Sequence, residues 1–204
     1  MEIIRPTTII LIRHGQTDWN LQGRWQGDTD IPLNATGKAQ ARALAARLVS
    51  WPIENIYSSD LQRAAETSMT LADSLSLKPI FDAGWRERNL GELEGLTRKE
   101  IAEKFPHLTL PRQFVETREG ETYTIFRKRV VNAFDRIMEK HEGQTTAVVS
   151  HSASLRVLIS YILEIPDRIY APFSLGGNTG LSRVVIEDGR AQLTLLNDTS
   201  HIGG

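Results

Sequence analysis

Two periods of apolar spacing run through this chain. Thr8 to Ile12 is an aliphatic run with no polar alternation, which predicts a strand covered on both faces. From Thr36, read as an N-cap, Ala41, Leu44, Ala45 and Leu48 recur at helical spacing up to Val49, with Pro52 just beyond. Asn55 to Tyr57 predicts a short strand, and Ser59 or Asp60 is placed to cap a second helix whose Leu61, Ala64, Ala65, Ala72 and Leu75 share a face. Pro79 to Phe81 is a third strand candidate, after which Gly84, Gly91 and Gly95 mark an irregular loop. Thr97 and Glu100 form a capping box for a short helix ending before Pro106. Thr122 to His141 predicts a long helix with Phe126, Val130, Ala133, Phe134, Ile137 and Met138 inward. Thr145 to Val149 is another buried strand, followed by a helix from about Ser154 to Leu163. Ser182 to Glu187 and Ala191 to Leu196 flank Asp188-Gly189, a two-residue hairpin signal. The sum predicts an α/β fold, with a mixed sheet between layers of helices. Residues 1–204 read as one domain, with a lid or specificity excursion over about 88–121 whose own fold is not readable.

Composition narrows the function classes. Twenty-four Lys and Arg against twenty-five Asp and Glu leave a net charge of -1, so no protein-wide field favours nucleic acid or anionic lipid. Any anion site must be local. With no cysteine, the chain has no disulfide, thiolate nucleophile or zinc-thiolate cluster, and a cytoplasmic location is expected. Ile9 to Ile12 is too short for a signal-peptide core, and Arg156 and Glu164 interrupt the apolar stretch from Leu155 to Ile165, so no membrane span is predicted.

Open α/β sheets place ligands at the carboxyl ends of their strands. There the chain puts Arg13-His14-Gly15 after the first strand, with Thr17 and Asn20 close behind. Arg63 falls in the first turn of the helix after the second strand, and His151 follows the Thr145 strand. If those strands are parallel, two histidines and two arginines converge. Singly, each has a plainer reading: Arg63 as a solvated helix arginine, His151 as a structural or capping histidine, His107, His141 and His201 as surface or terminal residues. Together they suit a phosphoryl group, whose oxygens match guanidinium forks. A neutral imidazole such as His14 is nucleophilic enough to attack phosphorus. Gly15 leaves room for close backbone approach, and Thr17 and Asn20 supply neutral donors. Glu87, on the loop after Phe81, is placed to protonate a leaving group; its plainer reading is an ion pair with Arg86 or Arg88, and Glu92 and Glu94 are weaker alternatives for the same role.

These residues lie in recognisable blocks. Leu11-Ile12-Arg13-His14-Gly15-Gln16-Thr17-Asp18-Trp19-Asn20, Gln26-Gly27-Asp28-Thr29-Asp30, Tyr57-Ser58-Ser59-Asp60-Leu61-Gln62-Arg63-Ala64, the stretch around Glu87 to Leu96 and Val148-Val149-Ser150-His151 together resemble the histidine phosphatase superfamily, in its phosphoglycerate mutase-like branch. The resemblance covers nearly the whole chain, least well over Lys104 to Glu121. It implies a three-layer α/β/α sandwich with a mixed, mostly parallel sheet. It implies His14 as phosphohistidine nucleophile and Glu87 as proton donor, with Arg13, Arg63, His151 and Asn20 binding phosphate. Gln26, Gly27 and the backbone at Ser152 would line the substrate side, and no metal or cofactor is implied.

Departures from the mutase pattern favour a phosphatase. Leu90 stands where mutases carry tyrosine, Arg98 where they carry lysine, and Ser152-Ala153 where they carry glycine and asparagine. Paired arginines of the mutase insertion are reduced to scattered Arg112 and Arg118. A mutase must shield its phosphoenzyme from water while the intermediate turns over, and those groups are missing. The expected partner is a small phosphorylated metabolite, sampled by Trp25, Gln26, the Leu90 loop and the Arg112 to Thr122 segment with Phe114. The resemblance leaves room for a homodimer. Mutase activity and non-catalytic binding of a phosphorylated ligand are the alternatives.

Overall fold

The computed structural model describes residues 5–108, 115–166 and 172–203. Six strands, β1 (Thr7–Arg13), β2 (Asn55–Ser58), β3 (Pro79–Phe81), β4 (Thr145–Ser150), β5 (Leu181–Glu187) and β6 (Arg190–Asp198), form one sheet in the order β3-β2-β4-β1-β5-β6. The β3-β2-β4-β1 portion is parallel, while β5 runs antiparallel to β1 and to β6. The helices are α1 (Asp18–Leu21), α2 (Ala35–Leu48), α3 (Gln62–Leu75), α4 (Arg98–Lys104), α5 (Tyr123–Lys140) and α6 (Ser152–Ile162).

The unbroken apolar run of β1 follows from its central place. Ile9 and Leu11 pack with Phe126, Val130 and Phe134 of α5 and Leu155 and Leu158 of α6. Ile10 and Ile12 point the other way, against Leu44 and Leu48 of α2 and Ala64 and Leu71 of α3. Each of the four is fully buried and contributes about 1.5–3 kcal/mol. The result is the three-layer α/β/α sandwich. A third, smaller cluster of Trp25, Leu93, Ile101 and Val115 lies beneath the excursion.

Several element boundaries differ from the sequence reading, each for a local reason. Asn34, not Thr36, caps α2: its side-chain oxygen accepts the Gly37 N–H at 2.8 Å. Neither Ser59 nor Asp60 caps α3; Leu61 is the cap residue, and Asp30 from a distant loop accepts the Gln62 N–H at 2.7 Å instead. α6 starts at Ser152, two residues earlier than predicted, with His151 as its extended N-cap. His141 is buried rather than superficial: Tyr57 Oη lies 2.9 Å from its Nε2 and Gln144 Oε1 2.9 Å from its Nδ1. His201 is half-buried and contacts Thr179 Oγ1 at 2.9 Å. The Asp188-Gly189 hairpin forms as expected, with both residues at positive φ.

The loop after β1 is held against the start of α2. A Cβ added to Gly15 would sit 2.6 Å from the Gly37 carbonyl oxygen, and one on Gly37 would sit 2.1 Å from that of Gln16. Only glycine at both places permits this approach.

Candidate active site

Sheet register sets the site. Arg13 pairs with Ser150 across β1 and β4, and Val149 pairs with Ser58 across β4 and β2, so three parallel strands end at one level. The next residues, His14, His151 and Ser59, therefore meet in space. The His14 N–H donates to the Ser150 carbonyl at 3.0 Å, and the two imidazole centroids lie 5.1 Å apart.

The two rings hold their protons differently. His14 Nδ1 is 2.7 Å from the Gly15 carbonyl, which can only accept, so Nδ1 carries the hydrogen and the Nε2 lone pair is left without a partner among the described residues. At His151 the Arg63 Nε–H donates to Nδ1 at 3.2 Å, so Nε2 carries the hydrogen and donates to Ser59 Oγ at 2.9 Å. Both rings are almost wholly excluded from solvent. Burial, then the charges of Arg63 and Arg13, hold His14 well below the ordinary imidazole value of 6.5. Burial and then Arg63 do the same to His151.

Arg63 is buried on the first turn of α3, and its NH1 and NH2 donate to the carbonyls of Thr29 (2.7 Å) and Gly27 (2.8 Å). Arg13 NH1 donates to the carbonyls of Leu175 (3.3 Å) and Gly176, while its buried Nε has no partner among the described residues. Desolvation lowers both guanidiniums to about 10, which leaves them charged at neutral pH. Glu87 is not in the surface ion pair that its neighbours suggested: Arg86 forks onto Asp60 at 2.7 Å, and Arg88 donates to the carbonyls of Glu121 and Val115. Glu87 instead accepts the Ala153 N–H at 3.0 Å and the Arg88 N–H at 2.9 Å, so its carboxylate rests on the N-terminal turn of α6.

A cavity of about 370 Å³ opens over these groups. Arg13, His14, Asn20, Gln26, Gly27, Arg63, Glu87, His151 and Ser152 all line it, as does Trp25. Thr17 does not: it is fully buried beneath, where its hydroxyl caps α1 and meets Gln26 Oε1 at 3.1 Å. It holds Asn20 and Gln26 rather than facing the cavity. Glu92 is exposed, and Glu94 is bonded to backbone, as described below. Arg112 and Phe114 lie outside the described residues.

Sequence reading missed part of the wall. Arg24, Arg88, Tyr123, Arg156, Ser174 and Gly176 also line the cavity. Arg156 follows Ser152 and Ala153 by four and three residues on α6, and that same-face helical spacing was a usable signal. The Ser174 to Gly180 loop had none: it contributes mainly backbone, the Leu175 and Gly176 carbonyls to Arg13 and the Thr179 N–H to the His14 carbonyl at 3.2 Å, together with the Asn178 side chain, whose Nδ2 donates to the His14 carbonyl at 3.2 Å and to Asn20 Oδ1 at 3.1 Å. Among the described residues no group of three His, Cys, Asp or Glu is arranged to hold a metal ion, and no helix is long and apolar enough to cross a membrane.

Residues 9–199 match the model of the histidine phosphatase superfamily (branch 1). The chain belongs to this superfamily. Phosphoserine phosphatase 1 of Hydrogenobacter thermophilus is 31% identical over 200 residues, which cover 96% of this chain and 94% of that one. A probable phosphoglycerate mutase, GpmB of Yersinia enterocolitica, is 34% identical over 187 residues, 86% of this chain and 83% of that protein. Among solved structures, a phosphoserine phosphatase of Entamoeba histolytica in complex with phosphoserine superposes with a TM-score of 0.81 at 30% identity, covering 96% of this chain and 99% of that one. Phosphatases thus recur among the relatives of this superfamily member.

Proposed function

We propose that this histidine phosphatase hydrolyses small phosphomonoesters by double displacement through His14, without a metal or cofactor. The observation that carries the reading is that His14, whose Nε2 has no partner among the described residues, and Arg13, whose buried Nε has none there either, line one cavity with Arg63. A lone pair and desolvated cationic donors lining one cavity suit a tetrahedral dianion.

In the first step the Nε2 lone pair attacks phosphorus, the ester P–O bond breaks, and the leaving alkoxide takes the proton of a protonated Glu87. In the second, water attacks phosphorus and gives its proton to the Glu87 carboxylate as the P–N bond breaks. Arg13, Arg63 and Asn20 bind the phosphoryl oxygens, His151 joins them as its Nε2–H exchanges Ser59 Oγ for a phosphoryl oxygen, and the N–H groups at the start of α6 around Ser152 lie close by.

The remaining wall speaks to the leaving group. Arg24, Arg88 and Arg156 add three cations, and Glu87 is the one carboxylate among the described lining residues. Arg24 also pairs with Glu100 at 3.2 Å, and the relatives named for phosphoserine support an alcohol that carries an anionic group of its own. Tyr123, Phe126 and Trp25 provide its apolar wall.

Release of inorganic phosphate from a panel of phosphorylated metabolites, with acid quench to trap an acid-labile phosphoenzyme, tests the reading. Turnover and trapping are expected in the parent and absent in His14→Ala; full activity in that variant would end it. The competing mutase reading, favoured by the GpmB-like relative, predicts isomer formation from 3-phosphoglycerate with bisphosphoglycerate and little free phosphate.

A further inference from the structure

Glu94 makes four hydrogen bonds with one carboxylate. Its Oε1 accepts the Asp28 N–H at 3.0 Å and the Leu90 N–H at 2.8 Å; its Oε2 accepts the Thr29 N–H at 3.0 Å and the Thr29 hydroxyl. Three of these donors belong to the turn whose Gly27 and Thr29 carbonyls grip the two terminal nitrogens of Arg63. The turn has no sheet or helix to fix it. Gly27 holds a φ of +52°, and a Cβ built there would fall 2.1 Å from Glu94 Oε1, so the carboxylate occupies the space a side chain would need.

We propose that Glu94 is a positioning residue for Arg63. It draws the amides of residues 28 and 29 inward; the Gly27 carbonyl shares a planar trans peptide with the Asp28 N–H and so points the opposite way, onto the guanidinium, and the Thr29 carbonyl leaves the residue whose own N–H and hydroxyl are held. Arg63 Nε is thereby aimed at His151 Nδ1. Through Leu90 the same carboxylate ties this anchor to the far wall of the cavity. Glu94 itself does not line the cavity, and it moves no proton in the reaction.

A carboxylate is required because three of the partners are backbone N–H groups, which can only donate, and each oxygen meets at least one of them. In Glu94→Gln one oxygen becomes an NH₂, which sets a donor against donors at one end of the group. The positional part of the claim stands alone; its catalytic part rests on the phosphomonoesterase reading.

Two measurements separate them. In ¹⁵N–¹H spectra of the parent, the Arg63 Nε–H, identified by its loss in Arg63→Lys, is expected as a sharp, slowly exchanging signal. It should broaden or vanish in Glu94→Gln while thermal unfolding stays cooperative. An unaltered signal overturns the proposal whatever the enzyme catalyses. In turnover of p-nitrophenyl phosphate, Glu94→Gln should lower kcat/KM by roughly ten- to a hundredfold, the range for hydrogen bonds to a charged group. The same change in an Arg63→Ala background should cost less than about threefold, because its route of action is gone. Equal losses in both backgrounds overturn the proposal in favour of a general structural role. Loss of the Arg63 signal in a protein whose parent shows no turnover sinks the phosphomonoesterase reading and leaves the positioning intact. Glu94→Asp, too short to reach all four donors, repeats both measurements should Glu94→Gln not fold.

Discussion

His14 and His151 lie with ring centroids 5.1 Å apart and carry their hydrogens on opposite nitrogens, Nδ1 in one and Nε2 in the other. A backbone carbonyl sets the first and an arginine donor the second. Of two chemically identical side chains, one presents a lone pair to the cavity and the other spends its lone pair on Arg63.

This arrangement fixes a pH dependence. Burial and the flanking guanidiniums hold both rings well below 6.5, so His14 stays neutral as the buffer falls through 6.5. After correction for the substrate's own phosphate, which titrates near about 6, the acid limb of kcat/KM should fall below 6.5. A limb centred at or above that value would contradict the neutral resting nucleophile.

The same shift enters stability with a definite sign. Above 6.5 both rings are neutral folded or unfolded and contribute no pH dependence. Below it the unfolded chain binds protons that the folded one refuses, so stability falls as pH falls. The unfolding midpoint should drop between about pH 6.5 and 5, and His14→Gln should flatten that slope. An identical slope in the variant would mean that His14 is not the group involved.

Arg63→Lys should reduce kcat/KM at least about a hundredfold, or about 3 kcal/mol. One ammonium cannot donate to Gly27, Thr29 and His151 and also meet a phosphoryl oxygen. Steady-state kinetics check this, and a loss under tenfold would show that the fork is dispensable.

Glu87→Gln should slow alkyl phosphates far more than p-nitrophenyl phosphate, whose leaving group needs little protonation. Equal slowing of both would remove Glu87 from proton transfer and leave it as a cap for α6.

His141→Phe should cost about 1–3 kcal/mol of stability by stranding the Tyr57 hydroxyl, with kcat unchanged. Denaturant melts and kinetics on one preparation check both halves. A large loss of kcat would show that the buried pair reaches the site.

Much of this was legible in the chain because sheet and helix periods were clean. The continuous run at Thr8 to Ile12 marked a strand buried on both faces, and parallel pairing then forced His14 and His151 together. What escaped was long-range: Asp30 serving α3, and Glu94 serving the turn at residues 28 and 29, are bonds to backbone made across the fold, and no local spacing encodes them. His141 misled because a histidine at a helix end gives no sign that Tyr57 waits opposite.

The place of β1 in the sheet has a consequence for synthesis. Its two neighbours are β4 and β5, so during synthesis β1 has no sheet partner until residue 145 has been made. Throughout that interval Ile9 to Ile12 is an unpaired, sticky ribbon, the kind of segment that chaperones shield in nascent chains. His14, the proposed nucleophile, sits at the end of that ribbon, so enzymatic competence would be among the last properties a growing chain acquires.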